Sequence, residues 1–223
     1  CIDMMKDEEW LMILGDDDVL DTNVVEQFYT NLNCIEKNIN VVRYSTQVID
    51  EQGKPVSKIY LQPLFENSIE SYYRKFIGEN RGSLSEFIFR YSQYKKYKFK
   101  DYPLAWTSDD RAIIDFSEGG NIYSINEAKV YFRKSSFHIT SMNDNIIEKQ
   151  KAHLKSLKEL ILDYNNVMTF KQKKFFVQLF ENQIFSFSKV GFQNYIYLVY
   201  FFCKFMSFGE IIILFKSFLL RIK

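Results

Sequence analysis

The chain has 223 residues, enough for one sizeable core or a domain with an appendage, and its 47% apolar and 26% charged content excludes a disordered polymer. Its three cysteines are widely spaced and odd in number, which excludes a disulfide framework or a cysteine-based metal site and makes a reducing, cytoplasmic setting the default expectation. The net charge of +1 hides an asymmetry, since residues 1–145 carry 17 basic against 23 acidic side chains and residues 146–223 carry 12 against 5. An acidic part suited to holding a cation is thus followed by a basic, aromatic one whose charges are too diluted among apolar residues for nucleic acid. The 22 Phe, 15 Tyr and 2 Trp suit carbohydrate contact, but an aromatic core explains them first. The chain opens on Cys1 without a signal peptide, which reads as a fragment whose N-terminus lies upstream.

In chain order, Glu9 to Leu14 form a short apolar run ending at Gly15, as a buried strand does, so Asp16, Asp17 and Asp18 fall where that strand opens into a loop. Residues 22–32 carry Val24, Val25, Phe28, Tyr29 and Leu32 at helical spacing behind Thr22 or Asn23 as a cap. Val41 to Val48 and the stretch near Ile59 to Leu61 flank a turn at Asp50 to Pro55 and predict a hairpin. A helix over 66–77, a strand at Phe87 to Arg90 and a tyrosine-rich helix from Tyr91 to Phe99 follow. Ser108-Asp109-Asp110 then opens the short apolar run Ala112 to Ile114, and two strands are predicted at Ile122 to Ile125 and Lys129 to Arg133. From about residue 145 the pattern turns helical: Leu154, Leu157, Leu160, Ile161 and Tyr164 mark one amphipathic helix, and Phe170 to Phe185 a second. In residues 190–223 the longest charge-free run is Val190 to Cys203, short of the roughly 18–20 residues a membrane span requires.

Three adjacent aspartates repel one another unless a cation, protons or lysines compensate. A hard divalent ion such as Mg²⁺ or Mn²⁺ takes oxygen ligands and relieves that repulsion; a solvated acidic turn or a helix N-terminus is the plainer account. Asp109-Asp110, preceded by Trp106, offers a carboxylate to take a proton from an attacking hydroxyl, with an indole face for a sugar ring. On its own, the pair reads first as the N-terminal turn of a short helix, with Trp106 in the core.

Taken together, these segments resemble family 2 glycosyltransferases of bacterial type. Trp10 to Leu20, with Gly15-Asp16-Asp17-Asp18, is similar to their strand and DxD motif. Ser85-Glu86-Phe87-Ile88-Phe89-Arg90, then Phe99 and Ser108-Asp109-Asp110, resembles their acceptor-side block, and Val130-Tyr131-Phe132-Arg133 with Ser135 and Ile139-Thr140-Ser141 resembles their closing strand and loop.

The resemblance covers about residues 8–145. It implies an α/β fold, a partial GT-A (Rossmann-like) domain over residues 1–145, followed by a helical tail over 146–223. It implies a metal-dependent, inverting sugar transfer from a nucleotide-diphosphate sugar to a saccharide or lipid-linked acceptor, as in cell-surface polysaccharide synthesis. Asp16, Asp17 and Asp18 would hold Mg²⁺ or Mn²⁺ and the diphosphate. Asp109 or Asp110 would be the base, and Trp106 and Arg90 would line the acceptor side.

An ungapped match sets Gly15 where the family's first aspartate stands and Asp17 and Asp18 at the metal-side pair, whereas a one-residue shift makes Asp16 and Asp18 the DxD. Where relatives often carry a metal-binding histidine this chain has Ser135; His138 is read first as polar surface, and so is His153. Most of the family's nucleotide-binding half does not precede Glu9, so residues 1–223 alone are expected to show little or no turnover. A metal-dependent phosphohydrolase or phosphotransferase and a non-catalytic interaction module are the alternatives. For residues 190–223, a helix packed in the core or pairing two subunits stands slightly ahead of an amphipathic segment lying on an anionic inner membrane face.

Overall fold

The computed structural model describes residues 2, 5–35, 37–134, 145–186, 191–207 and 209–213. It divides into two compact units, one formed by Cys1–Asp101 with Thr107–Asn145, the other by Tyr102–Trp106 with Ile146–Lys223. Ser135, His138, the Ile139-Thr140-Ser141 stretch, Val190 and residues 214–223 lie outside the described residues.

The first unit is mixed α/β. Its strands are β1 (Trp10–Met12), β2 (Val19–Leu20), β3 (Val41–Ile49), β4 (Pro55–Tyr60), β5 (Phe65–Asn67), β6 (Phe87–Arg90) and β7 (Asn121–Arg133). Its helices are α1 (Val24–Asn31), α2 (Ser68–Phe76), α3 (Tyr91–Tyr97) and α4 (Ser108–Phe116). The strands form one mixed sheet in the order β1-β6-β3-β7-β2, with β4 on β3 and β5 on β7. Only β3 and β7 run parallel; the other pairings are antiparallel. Register explains how five strands fit around the two long ones. β3 pairs with β6 through Val41 to Arg43 and with β4 from Thr46 onward, while β7 pairs with β5 through Asn121 to Tyr123 and with β2 at Val130 and Tyr131.

The predicted hairpin is β3–β4. The two strands expected at 122–125 and 129–133 are a single strand, β7, interrupted by a bulge: β3 partners pass from Ile125 directly to Lys129. The intervening residues are satisfied elsewhere, Asn126 exchanging two bonds with Gln62, and the Glu127 and Ala128 carbonyls accepting from Asn23 and Ser45. Irregular pairing of this kind lies below what alternation of residue types reveals.

Period-2 alternation distributes the core to both sheet faces. Val42, Tyr44, Ile88, Ile125 and Val130 pack with Val24 and Phe28 of α1. Val41, Phe87, Phe89 and Ile122 pack with Tyr91 and Tyr94 of α3 and with Ala112, Ile113 and Phe116 of α4. In the second group the rings of Phe89, Tyr94, Phe99 and Phe116 meet at centroid separations of 4.7–6.5 Å, so much of the aromatic excess is core.

The second unit is helical: α5 (Ile146–Tyr164), α6 (Phe170–Ser186) and α7 (Phe192–Phe205). Leu154, Leu157, Leu160 and Ile161 of α5, Phe176, Phe180 and Ile184 of α6, and Leu198, Phe201 and Phe202 of α7 are buried. Residues 209–213 are helical as well. Among the described residues no helix is long and apolar enough to cross a membrane. Phe192, Ile196, Val199 and Tyr200 lie exposed on α7, and His153 is half-buried on α5.

Candidate active site

Strand directions gather the polar residues of the first unit at one end of the sheet. β1 is antiparallel to β6, and β6 to β3, so β1, β3 and β7 share a direction and their carboxyl ends lie together. Ligands of open α/β sheets commonly bind at that end. The aspartate loop follows β1 and touches the last residues of β7, and the turn Leu84–Glu86 lies there too, immediately before β6.

Within the loop the three aspartates have different surroundings. Asp16 is exposed, and Asp17 and Asp18 are half-buried. Asp18 ties the loop in place: its Oδ2 accepts from Ser85 Oγ at 2.5 Å and its Oδ1 from the Arg133 backbone N–H at 3.2 Å. Ser85 Oγ in turn accepts the Gly15 N–H at 2.9 Å. A side chain at position 15 would place its Cβ 3.0 Å from Asp18 Oδ2, so that carboxylate would have to give by a few tenths of an ångström to admit one. The Arg133 Nε donates to the Asp17 carbonyl, and its Nη1 to the carbonyls of Asp50 and Glu51, clamping the loop to the β3–β4 turn.

The second cluster stands at the start of α4. Asp109 and Asp110 occupy its first turn, where the helix dipole favours negative charge, and Thr107, the N-cap residue, makes no side-chain cap bond. Asp110 is paired with Lys75 of α2 at 2.6 Å. Both aspartates, with Lys75, Ser83, Leu84 and Phe87, border a cavity of about 30 Å³, room for a water molecule or two. Burial, and then the neighbouring Asp110, raise the Asp109 carboxyl above its ordinary range against the pull of Lys75. For Lys75, burial works to lower its value, but Asp110, Asp109 and Glu86 outweigh it and the net shift is upward. One carboxylate is therefore held by a cation, and its neighbour is a stronger base than an ordinary aspartate.

The short stretch from Gly82 to Glu86 connects the clusters. A Cβ on Gly82 would lie 3.9 Å from both Asp110 Oδ1 and Lys75 Nζ, Ser83 and Leu84 line the cavity, and Ser85 holds Asp18. Glu86, fully buried, accepts the Ser83 N–H through Oε2, while its Oε1 meets no hydrogen-bond partner among the described residues. Burial pushes its carboxyl up to about 8, although Arg43, Arg81 and Lys75 pull the other way. Arg81 stacks on Phe132, its guanidinium carbon 3.4 Å from the ring centroid.

Of the two expected acceptor contacts, Arg90 falls at the far end of β6 from this stretch. Arg90 ends β6, about 10 Å along the strand from Phe87. There it pairs with Glu9, donates to the Ile39 carbonyl and stacks over Trp10. Trp106 belongs to the helical unit, where the Lys149 ammonium stands 4.9 Å from its ring.

The aspartate loop supplies hard oxygen donors suited to Mg²⁺ or Mn²⁺, and each Asp18 oxygen keeps a second lone pair beyond the bond it accepts. Among the described residues no three His, Cys, Asp or Glu side chains converge as a metal cage. An ion here would draw its remaining ligands from water or from substrate oxygens, as magnesium commonly does.

Sequence reasoning assigned no role to Lys75 or Arg81, and placed Ser85 and Glu86 only within the stretch that resembles an acceptor-side block. The Ser83…Glu86 spacing of a capping box was the available signal for Glu86; for Lys75 and Arg81 there was none, because their partners are distant in sequence. No protein-family model matches the chain, and no curated protein matches it.

Proposed function

We propose that the chain carries the catalytic carboxylates of a metal-dependent, inverting glycosyltransferase with a GT-A-type domain, acting on a nucleotide-diphosphate sugar and a saccharide or lipid-linked acceptor. The observation that carries this reading is the Gly82–Glu86 stretch, which borders the Asp109-Asp110 cavity on one side and fixes Asp18 on the other. A cation-binding loop beside a carboxylate of raised basicity is what the chemistry requires. The leaving diphosphate develops charge, and the acceptor hydroxyl must lose a proton as it attacks.

Asp109 is assigned as the base. It takes the acceptor proton, while Asp110, tied to Lys75, holds the pair in register. Asp17 and Asp18 would hold Mg²⁺ or Mn²⁺ with Asp16 at the exposed rim, the ion supplying electrostatic stabilisation of the leaving group when bound. The fixed oxygens of Asp18 orient that site before substrate arrives. The test is sugar transfer from a panel of nucleotide sugars by the full-length protein and its Asp109→Asn variant. Transfer lost in the variant supports the reading; transfer retained refutes the assignment of the base.

A further inference from the structure

The cations around the two aspartate clusters are nearly all committed. Lys75 is bound to Asp110, Arg43 to Glu66, Ser71 and Ser124, Arg74 to Glu66 and the Glu79 carbonyl, and Arg133 to the carbonyls of Asp17, Asp50 and Glu51. Arg81 differs. Its Nη1 is buried from solvent and donates to no acceptor among the described residues, and an unmade bond from a buried guanidinium is costly to keep.

The group is nevertheless held in a defined place. Its plane lies on the Phe132 ring at 3.4 Å, and the next residue of β7, Arg133, gives its backbone N–H to Asp18. On the other side Arg81 is followed by Gly82, which abuts Asp110 and Lys75. The guanidinium thus lies beside the aspartate loop: burial lowers it from its ordinary value, and the Asp18 carboxylate acts in the opposite direction.

From this geometry we infer that Arg81 is a substrate-binding residue that receives the diphosphate group of the donor. This rests on the glycosyltransferase reading. A planar guanidinium presents parallel N–H donors that match two phosphate oxygens, and the aromatic ring beneath fixes its orientation. A bare carboxylate ligand would be repelled by Asp16, Asp17 and Asp18. A diphosphate arrives with a divalent cation, which the same aspartates attract. Glu86 leaves the Arg81 charge available, because its buried carboxyl, pushed up to about 8, is mostly neutral at pH 7.

The test is calorimetric titration of the full-length protein with inorganic pyrophosphate and Mg²⁺, and separately with glucuronate. Wild type, Arg81→Gln and Arg81→Lys are compared, each shown to be folded by a cooperative urea transition. The expected result is a loss of pyrophosphate affinity of about tenfold or more in Arg81→Gln, a smaller loss in Arg81→Lys, and no glucuronate binding. Equal pyrophosphate affinity in wild type and Arg81→Gln, or Arg81-dependent binding of glucuronate instead, overturns the assignment. Transfer assays separate this from the parent reading. Arg81-dependent pyrophosphate binding without transfer from any nucleotide sugar sinks the glycosyltransferase reading and leaves an Arg81 pyrophosphate site. Transfer that survives in Arg81→Gln with unchanged pyrophosphate affinity sinks the Arg81 assignment alone.

Discussion

Replacing Glu86 by Gln removes an acid that burial holds far above its ordinary range, while keeping its shape and its bond to the Ser83 N–H. In the folded chain the Glu86 carboxyl is buried and titrates at about 8, against an ordinary value of 4.5. Because the folded value is the higher one, the native state holds this proton at pH values where the unfolded chain has released it. The associated stability is complete below about 4.5 and is lost as pH rises to 8, after which it stays lost. At about 1.36 kcal/mol per pH unit, the whole effect is about 5 kcal/mol, of which about 3 falls between pH 6 and 9. Urea unfolding of wild type and Glu86→Gln at pH 6, 7, 8 and 9 measures it. The wild type should lose about 3 kcal/mol relative to the variant across that range, with most of the change complete by pH 8. Every other titrating group is shared by the two proteins and cancels in the difference. Parallel stability profiles would show that Glu86 is ionised throughout, paired to Arg43, Arg81 or Lys75, and would refute the reasoning.

Two further substitutions probe the clusters separately. Gly15→Ala sets a Cβ 3.0 Å from Asp18 Oδ2 and 3.4 Å from Ser85 Oγ, and should cost about 1–3 kcal/mol in urea unfolding by displacing the bond that ties loop to turn. A neutral result would mean that the loop yields without cost. Lys75→Met removes the cation that opposes the upward shift of Asp109, so the acid limb of the transfer rate should move to higher pH. An unmoved limb would show that Asp109 is not the titrating base.

Much of the fold was legible because it rests on local signals. The Asp50 to Pro55 turn announced the β3–β4 hairpin, and Leu154, Leu157, Leu160 and Ile161 at helical spacing announced α5. The break within β7 was misread as two strands, since a bulge is paid for by distant partners such as Gln62 and Ser45 that no local window contains. The same division holds at the site. The aspartates stood out because adjacent like charges are unusual in themselves. The groups that define their chemistry did not: Lys75 reaches Asp110 across 35 positions and Ser85 reaches Asp18 across 67. Arg90 looked like an acceptor contact in the sequence; in the structure its guanidinium is engaged by Glu9, Trp10 and the Ile39 carbonyl.

The central claim is that Asp109 takes a proton from an acceptor hydroxyl beside a cation-binding loop. The most direct measurement compares sugar transfer and donor hydrolysis by the full-length protein and its Asp109→Asn variant, with Mg²⁺ or Mn²⁺, across a panel of nucleotide sugars and acceptors. The account predicts that transfer falls by about 10²–10⁴-fold in the variant while metal-dependent binding of the donor persists. Transfer at the wild-type rate by Asp109→Asn would contradict it.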